Sequence, residues 1–274
     1  MFDNLLFSLF KKKRNLDYLD YLEIHVVDHC NLNCAGCCHF APIAKRYFVQ
    51  KDILARDLAR LSQLSNGNIR RIRLMGGEPL LHPEITDLFI IARRYFEKSE
   101  IAIHSNGILL CNMNDSFWEK CSQYDIGIVL TYYPVGIDYA KIRELATLHG
   151  LKLTMEIESG IKLFRKFNLD LKGKQSYLWS WVNCTHANSS VNLYNGKLYT
   201  CDIVAHSKHL SQFFGINLKY DTRDYIDIHK ESSMSSILKK LNMPHPFCRY
   251  CRPLKRTIIE WGRTEYKVSE WGLL

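Results

Sequence analysis

The first half of the chain alternates between short apolar runs and amphipathic segments. The apolar runs predict strands at residues 22–27, 69–74, 101–104, 126–132 and 151–157. The amphipathic segments predict helices at 52–64, 83–96, 115–123, with an Asp115 cap, and 138–149. Strands that alternate with helices favour parallel pairing. We therefore expect an α/β fold, a partial (β/α) TIM-like barrel of about five to six parallel strands whose site lies at their carboxyl ends.

The alternation stops near residue 160. Asn195-Gly196 predicts the turn of a hairpin over residues 192–199, and residues 233–241 predict a short helix. The apolar residues near the N-terminus predict a helix that packs on the domain or on a second subunit, in preference to weak attachment to an anionic membrane surface. The expected organisation is a leader at 1–20, the barrel at 21–160 and a small cysteine-rich domain at 161–274.

The composition predicts the cellular compartment of the protein and its binding of metal. The chain has 274 residues, of which 47% are hydrophobic, and a formal net charge of +9. The basic residues are dispersed, which favours an ordinary basic enzyme over a nucleic-acid or membrane-surface protein. No apolar run reaches the length of about 20 residues that a membrane span needs. The ten cysteines, without a visible signal peptide, predict metal binding in the reducing cytoplasm.

Three of the cysteines, Cys30, Cys34 and Cys37, directly follow the first predicted strand. Gaps of three and two residues let one tight loop aim three thiolates at three corners of a 4Fe–4S cubane. Three ligands leave one iron open for a cofactor or a substrate. The alternatives are a zinc site with His39 as fourth ligand and a chance grouping. The adjacent Cys38 points elsewhere in an extended loop and is not counted as a ligand.

Two further motifs occur in register with this cysteine triad. Gly76-Gly77-Glu78-Pro79 follows the second predicted strand, and Ser105-Asn106-Gly107 follows the third. With them the sequence resembles the radical S-adenosylmethionine (SAM) superfamily. The resemblance implies that Cys30, Cys34 and Cys37 hold a catalytic cluster.

The resemblance also implies how SAM is bound. Gly76, Gly77 and Glu78 would meet its amino group, and Ser105 and Asn106 its ribose and carboxylate. The family usually has an aromatic residue before the third cysteine, beside the adenine. This chain has glycine there, and Phe40 is the substitute we expect.

A second set of cysteines, Cys184, Cys201, Cys248 and Cys251, lies in the C-terminal part. Two distant pairs brought together by a hairpin can close a site with four ligands. Spacing alone leaves structural zinc and an iron–sulfur cluster equally open. The segment resembles the twitch domain, a short relative of the SPASM domain, in a layout most similar to 2-deoxy-scyllo-inosamine dehydrogenases. This resemblance implies an auxiliary 4Fe–4S cluster on the four cysteines.

The implied reaction begins with an external one-electron reductant of the flavodoxin or ferredoxin type. SAM is then split to a 5′-deoxyadenosyl radical, which takes a hydrogen atom from a small-molecule substrate. The auxiliary cluster accepts the remaining electron, which oxidises a carbohydrate-like or amino-sugar alcohol. Candidate proton acceptors are Glu158, Arg165 and Lys166 in the segment that joins the domains.

Two other functions stay open. The first is a peptide-modifying maturase or an epimerase, in which Cys38, Cys111 or Cys121 would donate a hydrogen atom. The second, from a different class, is a non-catalytic iron–sulfur or zinc protein. It leaves the Gly76-Gly77-Glu78 motif unexplained, and a measurement of bound SAM separates it from the enzymes.

Overall fold

The computed structural model describes residues 18–156, 163–187 and 189–273. The predicted leader helix falls on residues 1–17, and the candidate proton acceptor Glu158 on residues 157–162, so both lie outside the described residues. Within these ranges the chain forms a central sheet, helices that cover its outer face, and a C-terminal part with two small sheets.

The central sheet has eight strands in the order β10-β9-β8-β1-β2-β3-β4-β5. Strands β1 to β5 and β8 pair in parallel, and β8-β9-β10 pair antiparallel. The parallel barrel-like sheet predicted from the alternation is therefore confirmed. The strands are β1 Leu19–Val27, β2 Ile69–Gly76, β3 Glu100–Ser105, β4 Ile126–Thr131, β5 Leu153–Glu156, β8 Asn192–Tyr194, β9 Lys197–Tyr199 and β10 Ile226–Asp227.

The two faces of β1 show why its sequence alternates. Leu22, Ile24 and Val26 pack into the main hydrophobic core on one face. Glu23 and His25 point to the other face because successive side chains of a strand alternate. Both polar side chains are nevertheless buried, at 4% and 2% exposure. The inner face of the sheet is therefore partly polar, and this is where the candidate site lies.

Amphipathic helices cover the outer face of the sheet. Leu54, Leu58 and Leu61 of the first helix all enter the same core as the apolar face of β1. The helices of the described residues are α1 Lys51–Ser65, α2 Ile85–Tyr95, α3 Asp115–Gln123, α4 Tyr139–Leu148, α5 Tyr177–Val182, α6 Asp202–His206, α7 Lys208–Phe214 and α8 Met234–Leu241. Short 3-10 turns occupy Ala41–Ile43, Pro79–Leu81, Leu110–Asn112, Thr222–Asp224, Pro246–Tyr250, Pro253–Lys255 and Val268–Glu270.

The C-terminal part joins the central sheet through one strand pairing and contains two small sheets of its own. The hairpin β8–β9, turned by left-handed Asn195 and Gly196, extends the central sheet beside β1. Two small sheets pair β6 Leu163–Lys166 with β11 Thr257–Glu260 and β7 Leu169–Asp170 with β12 Gly272–Leu273. The main sheet thus continues across the division that the sequence places at residue 160.

Helix α3 begins as predicted, but its cap differs. The Asn114 side chain accepts a hydrogen bond from the Phe117 backbone N–H, at 3.0 Å, and Asp115 is the first residue of the helix. The expectation of an Asp115 cap was therefore wrong. Asparagine takes the position because its side-chain oxygen can satisfy one of the free N–H groups of the first turn.

Helix length bears on membrane insertion. Among the helices in the described part of the chain, none is long and apolar enough to cross a lipid bilayer.

We expect Asn114→Ala to lower the free energy of unfolding by about 1 kcal/mol, because it removes the cap of α3. Asp115→Ala is the matched control and should cost about 0.3–0.5 kcal/mol, since it loses only an interaction with the helix dipole. Anaerobic urea unfolding followed by circular dichroism measures both. An equal or larger loss in Asp115→Ala would contradict the assignment of the cap.

Candidate functional site

The cysteine triad lies in a tight loop directly after β1. Asn33 and Gly36 adopt left-handed backbone angles, with φ of 57° and 67°, and turn the loop back on itself. Burial raises the pKa of Cys30 and Cys37 to about 12 and that of Cys34 to about 11. Thiols in this setting become thiolates when a metal binds them.

Three hydrogen-bond donors point at the sulfurs of this loop. The Leu32 backbone N–H and the Asn106 side-chain amide approach Cys30 Sγ at 3.4 and 3.6 Å. The Trp261 indole N–H donates to Cys34 Sγ at 3.1 Å. Donors of this kind stabilise negative charge on sulfur, so the loop suits thiolate ligands better than neutral thiols.

The two glycines after β2 allow close contact with this loop. A Cβ on Gly76 would lie 2.2 Å from the Val27 carbonyl oxygen, and one on Gly77 would lie 2.1 Å from that of His29. The Gly77 N–H donates to the Val27 carbonyl at 2.7 Å. Any side chain at either position would therefore push the β2 loop away from the triad.

Glu78 joins the loops that follow β2 and β3. Its carboxylate accepts hydrogen bonds from the Ser105 hydroxyl at 2.8 Å and from the Asn106 backbone N–H at 2.9 Å. A third bond comes from the Leu80 N–H at 3.1 Å. The side chain is fully buried, and burial raises the pKa of Glu78 to about 7. The structure thus brings Glu78, Ser105 and Asn106 together beside Cys30, as the motif order predicts.

The C-terminal segment, residues 261–273, folds back over the triad loop. The Ala35 N–H donates to the Gly262 carbonyl at 2.9 Å, and Cys34 forms an antiparallel bridge with Arg263. The Trp271 indole donates to the Cys37 carbonyl at 2.9 Å. Sequence reasoning missed this contribution, because more than 200 residues separate the partners along the chain.

Phe40 occupies a different environment from the one the sequence suggests. Its ring is 1% exposed and packs in a second hydrophobic cluster with Trp271. The aromatic side chains beside Cys34 are Trp261 and Tyr133, whose ring centroids lie 5.8 Å apart. An adenine contact from Phe40 stays a prediction.

The four C-terminal cysteines line one small cavity, together with Phe167, His186 and Arg256. The Arg256 guanidinium donates to Cys184 Sγ at 3.4 Å, and the Ala187 N–H donates to the same sulfur at 3.2 Å. Burial raises the pKa of Cys201, Cys248 and Cys251 well above the ordinary value. Four convergent thiols beside a guanidinium suit a closed metal site of zinc or an iron–sulfur cluster.

Asp202 directly follows Cys201 of the second set, and its Oδ2 lies 3.9 Å from Nε2 of His39, two residues after Cys37 of the triad. After burial, its negative charge is a further cause that raises the pKa of Cys37 in the triad and of Cys251 in the C-terminal set. It pairs with His186, and these contacts hold the pKa of Asp202 below its usual range. The two sets therefore face a common buried charge.

Asp202 belongs to a buried histidine cluster that sequence reasoning also missed. His25 and His206 stack with ring centroids 3.8 Å apart, and His39 Nε2 lies 3.9 Å from an Asp202 oxygen. Burial lowers the pKa of His39 and His209 to about 4. The cluster consists of His25, Asp28, His39, His186, Asp202, His206 and His209.

The comparisons with known proteins decide the family. The model of the Radical SAM superfamily matches residues 24–171, more than half of the chain. This chain belongs to the radical SAM superfamily. Membership implies a 4Fe–4S cluster and SAM. The observed donors fit them, since three thiols lie in one loop at the carboxyl end of β1 and two of them, Cys30 and Cys34, accept hydrogen bonds from N–H groups.

Curated relatives of the superfamily match part of the chain. A GTP 3′,8-cyclase from Clostridium acetobutylicum is 29% identical over 177 residues, which cover 64% of this chain and 52% of that protein. A GTP 3′,8-cyclase from Microcystis aeruginosa is 35% identical over 109 residues, 38% of this chain and 32% of that protein. The chain thus spans about half the length of the first relative and about a third of the second.

One solved structure shares the fold along most of the chain. The crystal structure of BtrN in complex with AdoMet and 2-DOIA has a TM-score of 0.53 at 16% identity. The match covers 85% of this chain and 93% of that chain, which extends beyond the barrel into the cysteine-rich C-terminal part.

The other candidate residues lie apart from the two sets or outside the described side chains. Cys111 is half-buried near the Asp138 carbonyl, and Cys121 is buried in the main core. The Lys166 ammonium donates to the Ser269 carbonyl. The side chain of Arg165 is, like Glu158, not among those described.

We predict that Gly77→Ala lowers the iron bound after anaerobic reconstitution by about half, because a Cβ there clashes with the His29 carbonyl and displaces the β2 loop from the triad. Gly262→Ala is the matched control: it also touches the triad loop, but its Cβ would meet no atom of the described structure within 4 Å. Iron and protein assays measure the ratio. Full iron in Gly77→Ala would refute the requirement for close approach.

Proposed function

We propose that this radical SAM protein is an oxidoreductase with two 4Fe–4S clusters that oxidises a carbohydrate-like or amino-sugar alcohol. Cys30, Cys34 and Cys37 would hold the SAM-binding cluster. Cys184, Cys201, Cys248 and Cys251 would hold the auxiliary cluster. An external flavodoxin- or ferredoxin-type protein would supply the electron.

The shared position of Asp202 carries the proposal. Asp202 lies 3.9 Å from His39, two residues after Cys37, and pairs with His186, which lines the cavity of the second set, so one buried carboxylate contacts the surroundings of both thiol sets. The second set has four thiols, enough to fill every protein-ligand position of a cluster. Unlike a site with an open coordination position, it therefore has no place for an exchangeable ligand. A closed second cluster near the first is suited to electron transfer rather than to binding substrate.

The oxidation of an alcohol to a ketone balances in atoms and electrons with SAM and two clusters. The substrate loses one hydrogen atom from carbon, one proton from its hydroxyl and one further electron. When bound, the two clusters and SAM supply the radical chemistry and the electron acceptor. The protein's own residues position the parts: Glu78 fixes the loop that carries Asn106, and the C-terminal segment covers Cys34 and excludes water.

Two kinds of likeness bear on the substrate. BtrN, whose structure holds AdoMet and 2-DOIA, shares the fold over most of this chain, which favours a small polar substrate. The curated relatives named GTP 3′,8-cyclase favour a second candidate, cyclisation of a nucleotide. We prefer the alcohol oxidation because the layout of the second cysteine set resembles that of 2-deoxy-scyllo-inosamine dehydrogenases.

The double variant Cys248→Ala/Cys251→Ala tests the role of the second set. We expect it to lose about four of about eight irons per chain and to keep most SAM cleavage, because the triad has its own ligands. Oxidation of 2-deoxy-scyllo-inosamine should be lost, since the substrate radical then lacks an electron acceptor. Chromatography with mass detection measures 5′-deoxyadenosine and oxidised product in the same reaction.

Cys111→Ala is the control, because this half-buried cysteine lies outside both sets. Circular dichroism must show that the double variant is folded, since metal sites and folding are coupled. An unchanged ratio of oxidised product to 5′-deoxyadenosine would refute an electron-accepting role. Product formation from GTP, with none from the amino cyclitol, would replace the proposed substrate class.

A further inference from the structure

Two pairs of potential metal ligands meet within the buried histidine cluster, on its side away from Asp202. His25 and Asp28 are three residues apart at the end of β1, and His206 and His209 are three residues apart across the junction of α6 and α7. Donor atoms of His25, Asp28 and His206 all lie within 4.8 Å of one another. The fold thus gathers two imidazoles and one carboxylate from two distant segments, and the imidazole of His209 lies beside the carboxylate.

The distances centre on Asp28. Its Oδ1 lies 3.0 Å from His25 Nε2, and its Oδ2 lies 3.4 Å from His209 Nε2. His206 stacks on His25 and is 0% exposed. Ligand atoms about 2.0 Å from a small cation lie roughly 3.3 Å from one another, so the donor atoms of His25, Asp28 and His206 would reach one ion after small side-chain rotations.

The imidazoles have unsatisfied nitrogens. Within the described residues, neither ring nitrogen of His206 or His209 has a hydrogen-bond partner, and neither does Nδ1 of His25. Leaving a buried polar atom unpaired destabilises the folded state. By contrast, the partly exposed His229 pairs with Asp57 at 2.8 Å. Unpaired nitrogens of His25 and His206 next to a buried carboxylate indicate a ligand-binding cluster rather than a satisfied core.

Asp28 also has outer partners that fix its orientation. The Tyr194 hydroxyl donates to Asp28 Oδ2 at 3.0 Å, and the Lys208 ammonium donates to the Tyr194 hydroxyl at 2.6 Å. Lys208 itself stays 4.0 Å from Asp28. Carboxylates that bind metals are held by such hydrogen bonds, which keep one geometry and tune the affinity.

We propose that His25, Asp28 and His206 bind one divalent transition-metal ion of the zinc class, in a site distinct from both cysteine sets. Three nitrogen and oxygen donors match the ligand set of a zinc site that keeps one coordination position open. The site joins β1 to the junction of α6 and α7, so the bound ion stabilises the contact between the barrel and the C-terminal part. The proposal depends neither on the substrate nor on the second cluster.

The test uses tag-free protein whose cysteines are filled by anaerobic reconstitution with iron and sulfide. After equilibration with zinc and removal of free metal, we expect about one zinc per chain with no loss of iron. Zinc-edge X-ray absorption should show nitrogen and oxygen neighbours at about 2.0–2.1 Å and no sulfur shell at about 2.3 Å. This readout separates the proposed site from zinc on cysteine.

His206→Gln and His25→Gln should each weaken zinc binding at least about tenfold, since removing a ligand costs no less than removing an outer partner. Their iron content should be unchanged. His149→Gln is the matched control, because this half-buried histidine stacks on Trp118 on the outer face of the barrel and should keep its zinc.

Three results would overturn the proposal. They are wild-type protein without zinc above background, a sulfur shell around the zinc that does bind, and full zinc binding in both variants. If a variant fails to fold, the absorption spectrum of the wild-type protein still decides, because it reports the ligand atoms directly. Failure here leaves the proposed oxidation untouched, since that reaction is tested through iron and product.

Discussion

The candidate site depends on one close approach of backbone to backbone. The chain that leaves β2 at Gly76 and Gly77 runs so near the chain between Val27 and His29 that a Cβ has no room at either glycine. The contact brings the carboxyl ends of β1 and β2 into register. Through the buried carboxylate of Glu78 it extends to the loop after β3. Three loops therefore share one fixed geometry beside the triad.

The other side of the triad is closed by a segment from the far end of the chain. The indole of Trp261 and the backbone around Arg263 contact the loop at Cys34, and Trp271 contacts it at Cys37. The second cysteine set precedes this segment in the chain. Asp202, which follows Cys201, pairs with His186 and lies 3.9 Å from His39 near the triad.

Local patterns predicted the parts of this arrangement that depend on local structure. Apolar periodicity located the parallel strands and the longer helices, and the glycine pair and the triad were visible as motifs. Helices α6 and α7 were not predicted, because segments of five and seven residues are too short to show a hydrophobic period. The cap of α3 was placed one residue late, since aspartate and asparagine both suit that position.

Long-range contacts could not be predicted in this way. Nothing local to Trp261 indicates that its N–H meets Cys34. One feature of the sequence indicates the histidine cluster. Glu23 and His25 alternate with apolar residues in a strand that is buried on both faces. A polar inner face in a parallel sheet is a signal for function, because such strands are usually apolar throughout.

The central claim is that the triad, held by these loops, binds the cluster that cleaves SAM. The most direct test is the yield of 5′-deoxyadenosine from SAM under dithionite, compared between Cys34→Ala and Cys38→Ala after anaerobic reconstitution. The account predicts that Cys34→Ala forms none, because two thiolates do not hold the cluster with an open iron, and that the neighbouring Cys38→Ala keeps wild-type yield. Wild-type yield in Cys34→Ala would contradict the account.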